Sequence, residues 1–227
     1  MNKAIIKDYS NYLSNKERLN LIDKFESNFQ SIVEKLGLDD DYPAVIYHLY
    51  PSEKIKIQEM GEDGYAETDR KKHIIYMVYN QDIQPIGPHE LVHILTNKLN
   101  TPNYVFNEGL AEYFEDSWRA DIDGVPKRLG HDEWVKRFLK EGTYVSIDIL
   151  FDDNKFWKAD ESAMLSYPES GSFLKYLAKQ FGLERVMQAF IKLKRRPTNK
   201  SFNHDVFLEI FKRSVAEAES EWLSTLS

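Results

Sequence analysis

The 227-residue sequence contains no cysteine. A chain without cysteine forms no disulfide and offers no thiolate to a metal ion, so a zinc site in it must be built from histidine, aspartate and glutamate. Long apolar runs are missing as well, because no segment approaches the roughly 20 uncharged residues that a membrane-spanning helix needs. We therefore expect no membrane span.

An excess of positive charge is also missing. The chain has 30 Lys and Arg residues against 37 Asp and Glu residues, which gives a formal net charge of -7. Such a balance does not favour phosphate backbones or anionic membranes, so nucleic acid is not an expected partner. With 42% hydrophobic residues, the composition predicts a globular protein with a substantial core. It predicts a cytoplasmic protein, or a secreted or periplasmic one if an export signal has been removed, and leaves the oligomeric state open.

The hydrophobic pattern predicts an α+β fold. Apolar residues recur every three or four positions from 9 to 36, which predicts one or two amphipathic helices ended by Gly37. "PAVIYHLYP" (43 to 51) and "KHIIYMVYN" (72 to 80) predict strands, and the stretch between them, including "KIKI", predicts turns or short strands. Helices are expected after Pro88, with loops near 121 to 130 and 151 to 155 and a capped helix from Ser170 to Gly182. We expect two lobes, 1-100 and 101-227.

The segment "PHELVH" (88 to 93) carries a possible metal-binding pair. His89 and His93 are four residues apart, so in a helix both imidazoles point to the same side and can bind one ion. Glu90 is angled differently and can reach a water molecule. In this HExxH arrangement zinc lowers the pKa of the water to around 7 and the glutamate removes its proton. The alternative is a helix with two surface histidines, but the apolar residues around them predict a buried helix, in which unpartnered ionisable groups are costly.

A third ligand is expected from "NEGLAEYFE" (107 to 115). A catalytic zinc ion needs three protein ligands and an open position. Glu108 and Glu112 lie one helical turn apart, and the spacing from His93 lets either residue reach the ion. Gly109 permits close approach of the two helices, which favours Glu108 as the ligand and Glu112 as the acceptor of a hydrogen bond from a ligand histidine. The alternative for this pair is a solvated acidic helix face.

Together "HELVH" and "NEGLAEYFE" resemble the gluzincin metallopeptidases, the superfamily of thermolysin-like and M1 aminopeptidase-like enzymes, and most closely its compact peptidase-MA-like members. The resemblance implies a zincin-like fold with a small N-terminal mixed sheet, an HExxH helix and an all-helical C-terminal part. It also implies one Zn²⁺, held by His89, His93 and Glu108, with Glu90 as the general base.

The resemblance extends to "SYPESGSFLKYLAKQFGLERV" (166 to 186). Tyr167 matches a tyrosine that stabilises the oxyanion in the aminopeptidase branch, and a phenol O–H aimed at a tetrahedral intermediate would do this physically. The alternative is a tyrosine that only packs beside the cleft. The aminopeptidase motif Gly-x-Met-Glu-Asn is missing upstream, so recognition of a substrate's N-terminal amine is not implied.

The expected function is therefore a zinc metallopeptidase acting on a peptide or protein substrate. Two alternatives stay open, a catalytically inactive binding or scaffold domain with the same fold and a zinc hydrolase of a non-peptide substrate. In this superfamily the strand before HExxH pairs with an extended peptide, and "HIIYMVYN" is either such an edge strand or a fully paired one. The remaining histidines are expected to be structural or exposed, with His131 kept as a candidate for a substrate contact.

Overall fold

The fold is mixed α/β, with many helices and a small mixed sheet, which confirms the coarse class expected from the sequence. The structure is a computed structural model that describes residues 3–9, 13–39, 41–61, 63–85, 87–122, 125–157, 165–199 and 201–226. The chain contacts divide it into two compact units, Met1–Asn97 and Lys98–Ser227. Within the described residues no helix is both long and apolar enough to cross a membrane.

The first unit is built on a four-stranded sheet. Its elements are β1 (Ala4–Asp8), α1 (Asn15–Leu36), β2 (Val45–Tyr50), α2 (Glu53–Met60), β3 (Ala66–Asp69), β4 (Ile74–Val78) and α3 (His89–Thr96). The strand order is β1-β2-β4-β3, and only β3 runs antiparallel to its neighbour. The core lies between α1 and the sheet, where Phe25 stacks on Tyr47 with 3.8 Å between ring centroids.

Helix α1 follows the predicted apolar pattern, and capping residues define where it begins and ends. It begins after Ser14, whose side chain and that of Glu17 form a reciprocal capping box, and it ends at Gly37 in the left-handed conformation (φ 61°). Residues 10 to 12, which belong to the predicted helical stretch, lie outside the described residues.

The segment between the two predicted strands contains one of the expected short strands and a helix that was not expected. "KIKI" lies in helix α2, because Ser52 caps its start and Gly61 ends it with φ 80°. The following residues "AETD" form β3. Strand β4, which contains most of "HIIYMVYN", pairs with β2 on one side and β3 on the other. It is therefore a fully paired strand, and the edge strands of the described sheet are β1 and β3.

The second unit consists of helices and one hairpin. Its elements are α4 (Tyr104–Glu115), β5 (Trp118–Ile122), β6 (Val125–Leu129), α5 (His131–Glu141), α6 (Ile147–Leu150), α7 (Asp153–Phe156), α8 (Ser166–Phe181), α9 (Leu183–Lys192), α10 (Phe202–Phe211) and α11 (Val215–Leu226). Aromatic side chains dominate the core. Those with an exposed fraction of at most 1% include Phe106, Phe173, Phe207, Phe211 and Trp222.

Two expectations for this part of the chain are wrong. It is not all-helical, because β5 and β6 form an antiparallel hairpin where helix and loop were expected. Helix α4 ends at Glu115, and Asp116, with a φ of 60°, turns the chain toward β5. Helix α8 begins at Ser166 and not at Ser170, which is a fully buried residue inside the helix.

Candidate metal centre

The two histidines of the HExxH segment lie on one side of helix α3. The ring centroids of His89 and His93 are 4.9 Å apart, with the ring planes at 85°. His93 is buried, with an exposed fraction of 5%, and His89 is half-buried. Apolar residues anchor the helix, and the Tyr42 hydroxyl donates a hydrogen bond of 2.5 Å to the Leu95 carbonyl. The backbone that carries both imidazoles is therefore fixed within the first unit.

The general-base candidate Glu90 has a partner that the sequence did not reveal. The hydroxyl of Thr68, on the edge strand β3, donates a hydrogen bond to Oε2 of Glu90. Helix α3 packs beside β3, which brings the two side chains together although 22 positions separate them along the chain. Thr68 thus restrains one end of the carboxylate and links the edge strand to the candidate site.

Glu108 lies in the first half of helix α4, with an exposed fraction of 5%. The side-chain amide of its neighbour Asn107 donates a hydrogen bond of 2.5 Å to Oε1 of Glu108. Asn103 starts this helix by accepting a hydrogen bond of 3.3 Å from the backbone N–H of Phe106. The carboxylate of Glu108 is consequently held by its own helix.

The expected ligand set forms one cluster. One ligand atom from each of His89, His93 and Glu108 lies within 4.8 Å of the other two. Among the described residues, this is the group of three His, Asp or Glu side chains that could hold a metal ion. Two imidazole nitrogens and one carboxylate oxygen fit the donor set of a catalytic zinc site, in which the fourth position is left for solvent or substrate. The chemistry of the donors is therefore compatible with zinc.

Glu112 lies one turn beyond Glu108 on the same helix, and it is fully buried. Its Oε2 atom is 2.7 Å from Nε2 of His131, the first residue of helix α5. The predicted hydrogen bond from a ligand histidine to Glu112 stays a prediction. His131 has an exposed fraction of only 1%, so its interpretation as a substrate contact is wrong.

The packing role expected of Gly109 is also wrong. The sequence predicts that α4 approaches the histidine-bearing helix at this glycine. A Cβ at Gly109 would instead lie 2.8 Å from the Ser170 carbonyl oxygen of α8. The missing side chain therefore allows α4 to pack tightly on α8. The choice of Glu108 over Glu112 as the ligand then depends on the distances among the ligand atoms of His89, His93 and Glu108.

Tyr167 lies in the first turn of α8 and is half-buried. Its ring belongs to an aromatic cluster, at centroid distances of 5.1 Å from Trp118, 5.9 Å from Trp157 and 6.1 Å from Phe156. These contacts restrain the ring. The predicted role of its hydroxyl in stabilising an oxyanion stays a prediction.

No protein-family model matches this sequence, and a search of curated proteins finds no match either.

Proposed function

We propose that this chain is a zinc-dependent metallopeptidase of the gluzincin type, with a zincin-like fold, that hydrolyses peptide bonds. One observation carries the proposal: ligand atoms of His89, His93 and Glu108 lie within 4.8 Å of one another, and Glu90 directly follows His89 in helix α3. A hydrolytic zinc site needs this combination of three protein donors and a neighbouring general base. The zinc would be held by these three side chains.

Zinc, when bound, would lower the pKa of a coordinated water molecule and polarise the substrate carbonyl. The chain's own residues would do the remaining work. Glu90 would take up the proton of the attacking water and pass it to the leaving amine. Thr68, which donates to one oxygen of Glu90, would keep that carboxylate in a productive orientation. Tyr167 would donate its phenol O–H to the oxyanion.

The sheet supports a peptide or protein as the substrate. Strand β3 is at the edge of the sheet and contacts the HExxH helix. An edge strand presents unpaired backbone N–H and C=O groups to which an extended peptide can add as a further strand. A surface pocket of about 430 Å³ adjoins β3 and is lined by Met60, residues 67 to 71, Tyr76 and Asn97. A peptide or protein segment in extended conformation therefore fits this surface best.

The Glu90→Gln substitution tests the assignment of the general base. Glutamine keeps the size of the side chain but cannot take up a proton. We expect zinc binding to persist while turnover of a peptide library falls about 10²- to 10⁴-fold. The matched control is Glu34→Gln, the same change on the exposed face of helix α1, which should leave turnover unchanged.

The same assay distinguishes the proposal from its alternatives. Cleaved peptides, identified by mass spectrometry, should appear with the zinc-loaded wild type and disappear when a chelator removes the metal. A zinc-loaded wild type that cleaves no member of a broad peptide library would contradict the peptidase assignment. Comparable turnover in Glu90→Gln and the wild type would eliminate Glu90 as the base.

A further inference from the structure

A buried, hydrogen-bonded couple, Glu112 and His131, lies one helical turn beyond Glu108 of α4. Glu112 and His131 have exposed fractions of 0% and 1%, and Oε2 of Glu112 lies 2.7 Å from Nε2 of His131. Burying a carboxylate costs several kcal/mol unless hydrogen-bond donors compensate for the lost water. The imidazole N–H supplies a hydrogen bond of the strong, charge-assisted kind. His131 therefore helps to hold the Glu112 carboxylate in the interior.

Three helices enclose this couple. Glu112 belongs to α4, His131 begins α5, and Gly171 of α8 faces both. A Cβ at Gly171 would lie 2.7 Å from Cβ of Glu112 and 3.2 Å from two ring atoms of His131. Such distances are too short for any side chain, so the glycine is what lets α8 close over the couple. This close packing leaves each of the two side chains little freedom to change rotamer.

Helix α4 connects the Glu112–His131 couple with the candidate metal site. Glu108 and Glu112 are four residues apart on this helix and share one face. A carboxylate in the position of Glu112 can orient the ligands of a neighbouring metal ion, and groups with that role commonly affect metal affinity 10- to 100-fold. His131 contacts Glu112 from a different helix, α5, and so links α4 to α5 at this point.

We propose that His131 is a positioning residue of the metal site: by donating from Nε2 to Glu112, it fixes the face of α4 from which Glu108 binds zinc. The inference rests on the proposed zinc site. His131 touches neither substrate nor metal in this account. It acts only through Glu112, so its loss should weaken zinc binding beyond any general loss of stability.

Three substitutions at position 131 separate this role from simple packing. His131→Phe keeps a ring beside Gly171 but has no donor. His131→Asn is polar and well tolerated near a helix start, but its amide is too short to take the place of Nε2. His131→Gln places an amide N–H near the position of Nε2 and should restore the hydrogen bond. If His131 only fills space, the zinc affinity of the variants should follow the shape of the new side chain. If His131 is a positioning residue, the zinc affinity should depend on whether the new side chain has a donor near the position of Nε2.

Tyr144→Phe serves as the matched control. Tyr144 donates a hydrogen bond of 2.5 Å to the buried carboxylate of Glu219, in the same unit. This substitution also deprives a buried carboxylate of a donor, but on a helix, α11, that carries no candidate ligand. It should lower the melting temperature of the metal-free protein without changing zinc affinity.

The deciding experiment measures zinc dissociation constants by competition with a chromophoric chelator, alongside thermal unfolding of the metal-free proteins. We expect His131→Phe and His131→Asn to weaken zinc binding about 10-fold or more, His131→Gln to stay within about 3-fold of the wild type, and Tyr144→Phe to bind zinc normally.

If one of the two donor-free variants, His131→Phe or His131→Asn, fails to fold, the other still tests the inference. Unchanged zinc affinity in a folded His131→Phe or His131→Asn would overturn the inference alone, as would equal weakening in Tyr144→Phe. A wild type that binds no zinc would overturn the proposed site and the inference together.

Discussion

The carboxylate of Glu90 takes a hydrogen bond from the hydroxyl of Thr68. A side chain with three flexible torsions loses rotamer freedom when it is held in this way, and a general base works best when it is already oriented toward the proton it takes up. The threonine lies on the edge strand β3, so the strand proposed to bind the peptide also orients the base.

Replacing Thr68 with valine tests this restraint, because valine has the same shape and no hydroxyl. We expect kcat to fall about 10-fold with a smaller change in KM, since the lost interaction orients the base and does not bind substrate. Steady-state kinetics on one peptide substrate provide the measurement. Thr68→Ser, which keeps the donor, should retain most of the activity, and equal kcat values for the valine and serine variants would refute the role of the hydroxyl.

Sequence reasoning found the residues whose partners are local and missed those whose partners are distant. The spacing of four between His89 and His93 determines their common face wherever a helix forms. Thr68 is 22 positions from Glu90, and His131 is 19 positions from Glu112. The first pair depends on the packing of β3 against α3, and the second on the packing of α4 against α5. A local sequence pattern does not predict either contact.

At the scale of elements, the packing of α8 against its neighbours depends on two glycines. Gly109 faces the Ser170 carbonyl, and Gly171 faces Glu112 and His131. Each removes a side chain where two helix backbones approach closely. The α4–α8 contact therefore positions the ligand-bearing helix within the second unit.

Gly171→Ala should be destabilising, because the added methyl group would lie 2.7 Å from Cβ of Glu112 and backbone must move to accommodate it. We expect a loss of about 1 to 3 kcal/mol in the free energy of unfolding, the usual cost of overpacking, measured by urea denaturation. Gly130→Ala is the control, since a Cβ there meets only the Glu133 carboxylate at 3.7 Å. Equal stability of the two variants would show that α8 has room to shift.

Strand β2 carries a second testable histidine. His48 is buried on the sheet, where its Nδ1 lies 3.1 Å from the Tyr9 hydroxyl. Burial lowers the pKa of His48, and the charge of Lys7 lowers it further. The unfolded chain therefore takes up a proton at a higher pH than the folded chain does, so the protein loses stability as the pH falls below the ordinary histidine pKa of about 6.5.

The substitution His48→Phe should reduce this pH dependence, because phenylalanine keeps an aromatic ring and does not titrate. Urea denaturation between about pH 7 and pH 5 gives the slope of stability against pH. A slope in His48→Phe as steep as that of the wild type would contradict the assignment.

Element boundaries show where local signals compete. "KIKI" alternates apolar and basic residues as a strand does, but the caps Ser52 and Gly61 and the flanking residues make it part of helix α2. Ser170 resembles a helix start, yet α8 begins one turn earlier at Ser166. The β5–β6 hairpin was missed because its polar residues read as a loop, whereas it is stabilised by tertiary contacts such as the hydrogen bond of 2.8 Å from Trp134 Nε1 to the Trp118 carbonyl.

At the scale of the whole molecule, each compact unit has a core of its own. The first packs α1 on a mixed sheet, and the second buries phenylalanine and tryptophan rings among helices. The candidate ligands come from two helices, α3 and α4, and two short motifs of the sequence predicted both helices. A ligand that binds only the folded chain adds stability by mass action, about 2.7 kcal/mol at a concentration of 100 times its Kd. Zinc should accordingly raise the melting temperature, and a chelator should lower it.

The most direct test of the central claim is the zinc content of the purified protein after equilibration with zinc and removal of the excess, measured by inductively coupled plasma mass spectrometry. The account predicts one zinc ion per wild-type chain, loss of that zinc in His93→Ala and Glu108→Gln, and full content in the control His204→Ala. Full zinc content in a folded His93→Ala or Glu108→Gln variant, or no zinc in the wild type, would contradict it.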